Sequence, residues 1–271
     1  MKIKKALLLV GGRGTRVMPL TLHQPKGMIA LADKPMVHYA IDELVASGLN
    51  EIIIVHGPDQ EVFKHYINHL KMDHEWNSHV KFLFICQEKQ RGDGDAVVAA
   101  KKFIKRNESF VVAFCDDIFG EKKSSLKQMT AHFSKTGLPT ILCTEVPHNE
   151  VNKYGVIQLG DKNKNGFYTI TDLVEKPTIN KAPSNLIACG RYVLPYKMIS
   201  YLEKLYSGDY SEIRLAYALK LFIDDHKKIW GFTNPRSIRF DCGSKKGLIH
   251  AQAYFSFNHP QVKKELKNLL I

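Results

Sequence analysis

The sequence lacks the residue patterns of several common classes of protein. Its five cysteines are scattered along 271 residues and include no C-x-x-C pair, which argues against a zinc site or a disulfide framework. Four of them lie within or at the end of apolar, strand-like runs, so we expect buried free thiols. No apolar run reaches membrane-spanning length, and the basic N-terminus leads into only five apolar residues, too few for a signal-peptide core. We therefore expect a cytoplasmic protein without a membrane segment.

Patterns for nucleic-acid binding are also missing, although the formal net charge is +12. That charge fits an anionic partner, which could be a nucleic acid, an acidic surface or a small phosphorylated substrate. The chain has no helix-turn-helix, RNP or zinc-finger pattern, and its lysines are spread along the sequence. Because a scattered basic excess is most often a solvated surface, we expect no nucleic-acid partner.

Apolar runs without alternation are typical of strands buried on both faces of a parallel sheet. Such runs predict strands at residues 6–10, 51–56, 80–86, 109–115 and 139–146, and the segments between them predict helices at 35–48, 60–71, 95–106 and 123–135. Strands that alternate with helices predict a sheet covered on both faces. We therefore expect an α/β fold, Rossmann-like, with a predominantly parallel mixed sheet flanked by helices.

The pattern changes from about residue 147. Residues 154–157 and 168–174 alternate like strands, and a hairpin turn is predicted between them at 163–166. The remaining predicted elements are helices at 195–206, 211–225, 244–257 and 261–271 and strands at 228–233 and 237–241. A chain of this length suits one large domain, so the second part is expected to be a smaller, β-rich portion of the same domain.

Three glycines, Gly11, Gly12 and Gly14, follow the first predicted strand. Glycine lets the backbone approach a ligand closely and aim its N–H groups inward. The loop is neither of the two common glycine loops: the dinucleotide fingerprint needs glycine where Val17 stands, and the Gly-Lys-Ser/Thr ending of a P-loop is absent. A nucleotide-phosphate site is one interpretation, and a glycine-rich turn that only joins two elements is the other.

Side chains that suit phosphate oxygens accompany this loop: Arg13, Thr15, Arg16 and Lys26. A hydroxyl and three cations beside exposed backbone N–H groups can hold a phosphate chain. They favour the phosphate-site interpretation over the plain turn.

Two further loops carry candidate ligands. Asp116 follows the strand at 109–115, where open α/β sheets bind ligands, and its carboxylate could hold Mg²⁺ against phosphate or simply cap a turn. Gln87 ends the strand at 80–86 and precedes Gly92, so its amide could pair with the edge of a base. The alternative for that second loop is a polar connection with a helix N-cap at Asp93 or Asp95.

Glu175 and Lys176 have the chemistry to bind a sugar phosphate, since a carboxylate accepts hydrogen bonds from two neighbouring hydroxyls and an ammonium holds phosphate. An adjacent Glu-Lys pair is by itself usually solvated surface. His65, His69 and His74 suggest a metal site, but an exposed helix face is the better interpretation because no acidic or cysteine ligand accompanies them.

The motifs together resemble those of the sugar-1-phosphate nucleotidyltransferases. The first half carries G-x-G-T-R-x-x-P-x-T at 12–21, P-K-x-M at 25–28 and D-K-P at 33–35. The second half carries Y-G-V at 154–156, E-K-P at 175–177, A-P-S-N-L at 182–186, G-R-Y-x-L at 190–194 and D-C-G at 241–243. This second series resembles the bacterial uridylyltransferases that act on UTP and glucose 1-phosphate more than the thymidylyl or adenylyl branches.

The resemblance implies an enzyme that joins UTP and glucose 1-phosphate to give UDP-glucose and pyrophosphate. It implies catalytic roles for Arg16, Lys26, Asp116 and Lys176, substrate binding by Gly11, Gly12, Gly14, Thr15, Gln87, Gly92, Gly155, Glu175 and Lys176, and Mg²⁺ held by Asp116 and Asp241. It further implies one domain, 1–271, divided into a nucleotide-binding half (1–146), a sugar-phosphate-binding half (147–243) and a C-terminal helical segment (244–271). A homo-oligomer, dimer or tetramer, is expected, with the apolar side of the C-terminal segment as a possible contact and Lys263, Lys264 and Lys267 outside.

The sequence departs from the family pattern at several positions. Gly27 stands where the family has Glu, Asp93 and Asp95 stand for Leu and His, and Arg214, Ala216 and Tyr217 replace Gln, Thr and Asp. Two carboxylates near a triphosphate are unfavourable unless they are exposed or bind metal. The departures leave two other functions open: a related enzyme with another base or hexose, such as dTTP, or a binding or regulatory relative with reduced activity.

Overall fold

The computed structural model describes residues 3–58, 60–72, 76, 79–120, 124–162 and 166–268. The strands are β1 (Lys5–Leu9), β2 (Ala30–Leu31), β3 (Lys34–Pro35), β4 (Glu51–His56), β5 (Lys81–Cys86), β6 (Ser109–Phe114), β7 (Asp117–Gly120), β8 (Thr140–Glu145), β9 (Gly155–Lys162), β10 (Phe167–Glu175), β11 (Leu186–Pro195), β12 (Ile229–Thr233) and β13 (Ile238–Asp241). The helices are α1 (Met36–Ala46), α2 (Val62–Met72), α3 (Asp93–Ala99), α4 (Ser125–Thr136), α5 (Lys197–Lys204), α6 (Leu215–Asp224), α7 (Lys245–Asn258) and α8 (Lys263–Asn268).

Within the described ranges, nine strands form one sheet in the order β5-β4-β1-β6-β11-β8-β12-β10-β9. The first four strands are parallel to one another, as are β8 and β12, and the other neighbours are antiparallel. The mixed, helix-flanked sheet is therefore confirmed, with its parallel pairs concentrated in the first half of the chain. The loops that follow β1, β4, β5 and β6 meet at one edge, where ligands bind in open α/β sheets.

The side chains of β1 point alternately into two apolar layers, one on each face of the sheet. Both faces are therefore buried at this strand. Leu7 packs with residues of α3, α5 and α6, whereas Ala6 and Leu8 pack with residues of α1, α2 and α4. Each buried leucine contributes roughly 1.5–3 kcal/mol. The rigid sheet therefore holds the loops at its carboxyl edge in fixed positions.

Most of the predicted elements are confirmed to within a few residues. The helix predicted at 95–106 ends at Ala99, where a short 3₁₀ helix follows, and the helix predicted at 211–225 begins only at Leu215. The short strands β2, β3 and β7 were not predicted, nor was Leu186–Pro195, although β11 lies at the centre of the sheet. His65 and His69 are exposed on α2, which agrees with the solvated-face interpretation. His74, the turn residues 163–165 and the side chain of Lys267 lie outside the described residues.

The cysteines take the places expected of them. Four are buried (Cys115, Cys143, Cys189 and Cys242), and Cys86 is half-buried. Burial raises the pKa of the Cys115 thiol to about 12, so it stays protonated at neutral pH. Among the helices of the described ranges, none is long and apolar enough to cross a membrane.

An arginine is fully buried in the middle of β11. Arg191 is 0% exposed, and its Nε lies 3.1 Å from both carboxylate oxygens of Glu43 on α1, while its Nη2 lies 2.7 Å from one of them. Its remaining N–H groups donate to the carbonyls of Phe114, Gly190 and Asp117. The guanidinium therefore ties β11 to β6, to the start of β7 and to helix α1.

We expect Arg191→Met to lower the free energy of unfolding by about 3–5 kcal/mol, because it leaves the Glu43 carboxylate largely buried without its cation. Urea denaturation of the purified protein would measure the change. A double variant, Arg191→Met with Glu43→Leu, should recover most of the loss since no charge is then stranded. A single variant as stable as the parent would contradict this view of the β11 core.

Candidate active site

Among the described residues, two cavities of similar size lie at the carboxyl edge of the sheet. The first, the glycine-loop cavity, has a volume of about 540 Å³ and is lined by Gly11, Gly12, Arg13, Lys26, Gln87, Gly92, Asp116 and Glu212 among others. The second, the Glu175 cavity, has a volume of about 570 Å³ and is lined by Arg16, Asp116, Tyr154, Gly155, Glu175, Lys176, Arg214 and Asp241 among others. Asp93, Phe114 and Asp116 line both, so the two cavities are neighbours that meet along these residues.

The glycine loop leaves β1 along a path with little space for side chains. A Cβ at Gly11 would lie 3.1 Å from the backbone nitrogen of Gly57, and one at Gly14 would lie 2.7 Å from Thr21. Gly14 has φ +66°, which glycine adopts readily, and the short 3₁₀ helix Thr15–Val17 follows it. Neither Gly14 nor Thr15 is among the residues that line the two cavities, so their place is in the turn that presents Arg16.

Gln90, which the sequence did not single out, holds this loop from the other side. Its Nε2 donates to the carbonyl of Gly11 at 2.7 Å, and its Oε1 accepts from Nε of Arg13 at 3.1 Å. A polar side chain in a loop carries no local signal of such a partner about eighty positions away. The contact fixes the backbone of the glycine loop against the loop that follows β5.

Lys26 and Asp116 form an ion pair where the cavities meet. The distance between Nζ of Lys26 and Oδ2 of Asp116 is 2.5 Å. Burial alone raises the pKa of the Asp116 carboxyl, but Lys26 and the more distant Arg16 outweigh burial and hold this pKa below its usual value. Both partners are therefore charged at neutral pH, and the ammonium lies at the floor of the glycine-loop cavity.

Gly27 is buried beside this pair. A Cβ there would lie 3.0 Å from the ring of Phe63 and 3.2 Å from Sγ of Cys115. The glutamate that the family pattern has at this position would therefore meet an aromatic ring and a buried thiol. In this chain Phe63 and Cys115 occupy the space that a glutamate side chain at position 27 would need.

Three charged groups converge at Gly243. A Cβ at that glycine would lie 2.8 Å from Oδ2 of Asp116, 2.9 Å from Nη2 of Arg16 and 2.9 Å from Oδ1 of Asp241. The antiparallel pairing of β13 with β7, with Asp241 opposite Asp117, brings these distant parts of the chain together. Two carboxylates and a guanidinium therefore face one small space that admits no side chain.

Asp241 is held by its own partners. The hydroxyl of Tyr154 donates to Oδ2 of Asp241 at 2.6 Å, and the Arg239 guanidinium lies 5.0 Å from the centre of the Tyr154 ring. Arg239 also lies 2.6 Å from Oδ1 of Asp117, whose other oxygen accepts from the nitrogen of Gly190. Burial and the neighbouring Asp241 carboxylate raise the pKa of Tyr154, so its hydroxyl remains a donor. These contacts aim Oδ1 of Asp241 towards Asp116.

The two carboxylates can hold a magnesium ion. No group of three or more histidine, cysteine or acidic side chains with metal-binding geometry occurs in the described part of the chain. Mg²⁺ is, however, commonly bound through one or two carboxylates, with substrate phosphates and waters completing its six oxygen ligands. The pair Asp116 and Asp241, converging beside an arginine, fits that kind of site.

Near Glu175, the cavity that carries its name is also lined by two cations, Arg214 and Lys176. A Cβ at Gly155 would lie 3.1 Å from Oε2 of Glu175, and Oε1 of Glu175 accepts from Nη1 of Arg214 at 2.9 Å. Burial raises the pKa of Glu175 although Arg214 opposes the shift. Lys176 has φ +47°, a conformation that costs a non-glycine residue roughly 1–3 kcal/mol and that occurs mainly at functional sites. Its backbone nitrogen donates to the carbonyl of Tyr154, which fixes it at the cavity rim.

Asp93 and Asp95 lie in the first turn of α3, but neither is exposed and neither caps this helix. The N-cap of α3 is Gly92, without a side-chain bond, so the alternative of an aspartate N-cap is wrong. Oδ1 of Asp93 instead accepts from the backbone nitrogen of Leu215 at 2.6 Å and so caps α6, and burial raises its pKa. Asp95 accepts from Nε2 of Gln87 at 2.7 Å. Both carboxylates are thus bound to groups of the protein itself.

Comparisons with known proteins identify similar chains. Residues 5–256 match the family model described as nucleotidyl transferase. A UTP–glucose-1-phosphate uridylyltransferase of Streptococcus pneumoniae is 33% identical over 289 aligned positions, which cover 100% of this chain and 96% of the relative. A protein of that description from Streptococcus pyogenes is 32% identical, with 100% and 94% covered.

Solved structures are similar as well. A UTP-bound UGPase from Acinetobacter baumannii superposes with a TM-score of 0.85 at 28% identity, covering 99% of this chain and 98% of its own. A UDP-glucose pyrophosphorylase complexed with UDP-glucose has a TM-score of 0.85 at 32% identity, with 93% and 98% covered. The fold and the resemblance inferred from the motifs are both confirmed by these comparisons.

We expect Gly27→Glu, which restores the acid of the family pattern, to destabilise this protein by about 3 kcal/mol or more, because the longer side chain meets Phe63 and Cys115 and buries a charge. Thermal unfolding followed by circular dichroism would measure it. Gly12→Ala is the control: a Cβ there would be 3.5 Å from Nζ of Lys26, an ordinary contact, so stability should hold. An unchanged melting temperature for Gly27→Glu would contradict this expectation and show that Phe63 and Cys115 can move to admit the side chain.

Proposed function

This chain belongs to the nucleotidyl transferase family, and we propose that it joins UTP and glucose 1-phosphate to give UDP-glucose and pyrophosphate. The observation that carries the proposal is the convergence of Arg16, Asp116 and Asp241 on one small space at Gly243, with Asp116 lining both cavities. Two strongly anionic substrates react only if their phosphates are brought together and their repulsion is neutralised. Fixed charges at a junction between two cavities suit that task.

The proposed reaction needs positioning more than it needs a nucleophile from the protein. An oxygen of the sugar phosphate forms a bond to the α-phosphorus of the nucleotide, and the bond from that phosphorus to the bridging oxygen of pyrophosphate breaks. The attacking phosphate is already ionised at neutral pH, so no general base is required. Arg16 and Lys26 would neutralise the charge that builds up on the phosphate oxygens and on the leaving pyrophosphate.

The nucleotide is assigned to the glycine-loop cavity. Its phosphates would lie along Gly11, Gly12 and Lys26, with the turn at Gly14 and Thr15 presenting Arg16, and its base would lie against Gln87 and Gly92. Support comes from the lining of that cavity and from the close approach of Lys26 to Gly12. A backbone without side chains is what a triphosphate needs to come within hydrogen-bond distance of N–H groups.

The sugar phosphate is assigned to the Glu175 cavity. Glu175 would accept hydrogen bonds from ring hydroxyls beside Gly155, and Lys176 would hold the phosphate towards Asp116. The left-handed backbone at Lys176 supports this role because such strain is usually kept only where function requires it.

Asp116 and Asp241 would hold Mg²⁺. When bound there, the ion would supply positive charge that neutralises and orients the phosphate oxygens of both substrates. Tyr154 would keep Oδ1 of Asp241 turned towards the ion through its hydrogen bond to Oδ2.

A second candidate, another hexose 1-phosphate, is favoured by the Glu175 cavity itself. Arg214 donates to one oxygen of Glu175, and both Arg214 and Ala216 line this cavity. They stand where the family pattern has glutamine and threonine. These two replacements alter both the charge and the shape that the cavity offers to the sugar.

We retain two organisational expectations as proposals. The division into a nucleotide half (1–146), a sugar-phosphate half (147–243) and a C-terminal segment (244–271) agrees with the place of the two cavities. Self-association as a dimer or tetramer is supported by apolar side chains near the C-terminal segment, where Ile249 is 65% and Ile238 49% exposed. Sedimentation of the purified protein would give its mass in solution.

Incubation with Mg²⁺ and glucose 1-phosphate should release pyrophosphate with UTP faster than with dTTP, CTP or ATP. Coupled detection of pyrophosphate measures each pair, and galactose 1-phosphate and mannose 1-phosphate in place of glucose 1-phosphate test the second candidate. No release from any pair would reject the proposed function in favour of a relative that only binds nucleotides.

Asp116→Asn and Asp241→Asn should each lower kcat at least about a hundredfold, because each removes one charge from the point where the phosphates meet. The folded state should persist, which circular dichroism would verify. Asp224→Asn removes an equivalent charge from the exposed end of α6 and serves as the control, with the rate expected to stay at the parent level. Parent-like rates for both site variants would refute the metal assignment.

A further inference from the structure

The side-chain amide of Gln87 can take only one orientation. Its nitrogen, Nε2, lies 2.9 Å from the carbonyl oxygen of Gly92 and 2.7 Å from Oδ2 of Asp95. Both of these atoms are acceptors, so the group that faces them must be the NH₂. Turning the amide by 180° would place its oxygen against a carbonyl and a carboxylate. The chemistry of the neighbours therefore decides which end of the amide is nitrogen.

The amide oxygen faces the other way. Oε1 of Gln87 lies 3.5 Å from the position of a Cβ at Gly11, on the wall of the glycine-loop cavity. No residue in the described part of the chain donates a hydrogen bond to this oxygen. Gln87 is 6% exposed and lines the cavity, so a donor group of a bound ligand can reach this oxygen.

Asp95 is itself held rigidly. Its Oδ1 accepts from the hydroxyl of Tyr206 at 2.5 Å and from Nη2 of Arg91 at 3.3 Å, and the Arg91 guanidinium lies 4.9 Å from the centre of the Tyr206 ring. Burial and the adjacent carboxylate raise the pKa of Tyr206, which keeps its hydroxyl a donor. One oxygen of Asp95 is thus bound by two donors, and the other is left to the amide of Gln87.

We propose that Asp95 is a positioning residue that sets the base specificity of the nucleotide site, by locking Gln87 with its oxygen towards the base. A locked acceptor suits a base that has a ring N–H on its pairing edge, as uracil and thymine have. Cytosine carries a lone pair at that ring position and would meet Oε1 with two acceptors face to face. The inference rests on the proposed function, since it assumes that the base lies against Gln87.

Discrimination against cytosine is expected to be strong because each way of accepting this base is unfavourable. To accept cytosine, the amide would have to turn, which places its oxygen against Gly92 and Asp95, or the base would have to shift. A site that leaves buried polar groups unpaired with the wrong substrate discriminates strongly. The carboxylate of Asp95 is the stronger of the two acceptors that hold the NH₂, because it is charged.

The test is Asp95→Asn, assayed by pyrophosphate release with UTP and with CTP at saturating glucose 1-phosphate and Mg²⁺. The substituted side chain can offer an NH₂ to Gln87, and Arg91, which only donates, favours that arrangement. We expect the ratio of kcat/KM for UTP to that for CTP to fall about tenfold or more. The KM for glucose 1-phosphate should change much less than this ratio, because Asp95 does not line the Glu175 cavity.

Asp225→Asn is the matched control. Asp225 also accepts a hydrogen bond from a tyrosine, Tyr201, at 2.7 Å, but unlike Asp95 it is not a hydrogen-bond partner of Gln87. The same substitution there should leave the UTP to CTP ratio at the parent value. A loss of discrimination in both variants would point to a general loosening of the fold and would overturn the proposal.

Other outcomes separate this inference from the proposed function. If the parent protein releases pyrophosphate and Asp95→Asn keeps the parent ratio, the inference is wrong while the function stands. If the parent releases none with any pair, the function is wrong, and the inference is decided by equilibrium titration of UTP and CTP against both proteins. If Asp95→Asn does not fold, Tyr206→Phe removes one of the two donors to Asp95, and a ratio that does not fall would reject the proposal.

Discussion

The ion pair between Lys26 and Asp116 is the interaction on which the rest of the site depends. Asp116 lies close to Asp241 and two residues beyond the end of the strand at Phe114, so the site concentrates negative charge on side chains that are mostly buried. Leaving one such carboxylate without a partner costs several kcal/mol. The structure meets this cost with fixed cations, Lys26 and Arg16, which are also the groups that phosphates need. The charge balance that keeps the site folded and the charge that would bind substrates therefore come from the same side chains.

Features that are local in the sequence could be predicted from it. The first strand, the glycine loop and Asp116 each depend on neighbouring residues: an apolar run buries itself, glycines follow where a ligand approaches, and a carboxylate ends a central strand. The structure places β1 at Lys5–Leu9 and Asp116 two residues after the end of β6, and Leu9 and Asp116 both line the glycine-loop cavity. The same locality explains why a short set of motifs sufficed to indicate the family.

Features that depend on distant partners could not be predicted. The central strand β11 carries a buried arginine, and a charged residue in the middle of a segment argues against a buried strand unless its partner, here Glu43, is known. Asp93 and Asp95 looked unfavourable near phosphates because their partners, Leu215 and Tyr206, are more than a hundred positions away. In each case a polar side chain is buried because a remote group satisfies it.

The segment between α5 and α6 shows that the departures from the family pattern depend on one another. The carbonyl of Ile213 accepts from the nitrogen of Gly94, and its own nitrogen donates to the carbonyl of Arg91. A Cβ at Gly92 would lie 2.4 Å from that carbonyl oxygen, so only glycine fits against the segment.

The next residue, Arg214, pairs with Glu175 in one cavity and with Glu212 at the edge of the other. The loop that would hold the base and the carboxylate that would hold the sugar are therefore connected through three consecutive residues. A substitution in the base loop is therefore expected to alter the sugar cavity as well, since substitutions of residues in one hydrogen-bonded network do not act additively. The aspartates of the base loop and the arginine of the sugar cavity are accordingly best understood as one coupled adjustment of both sites.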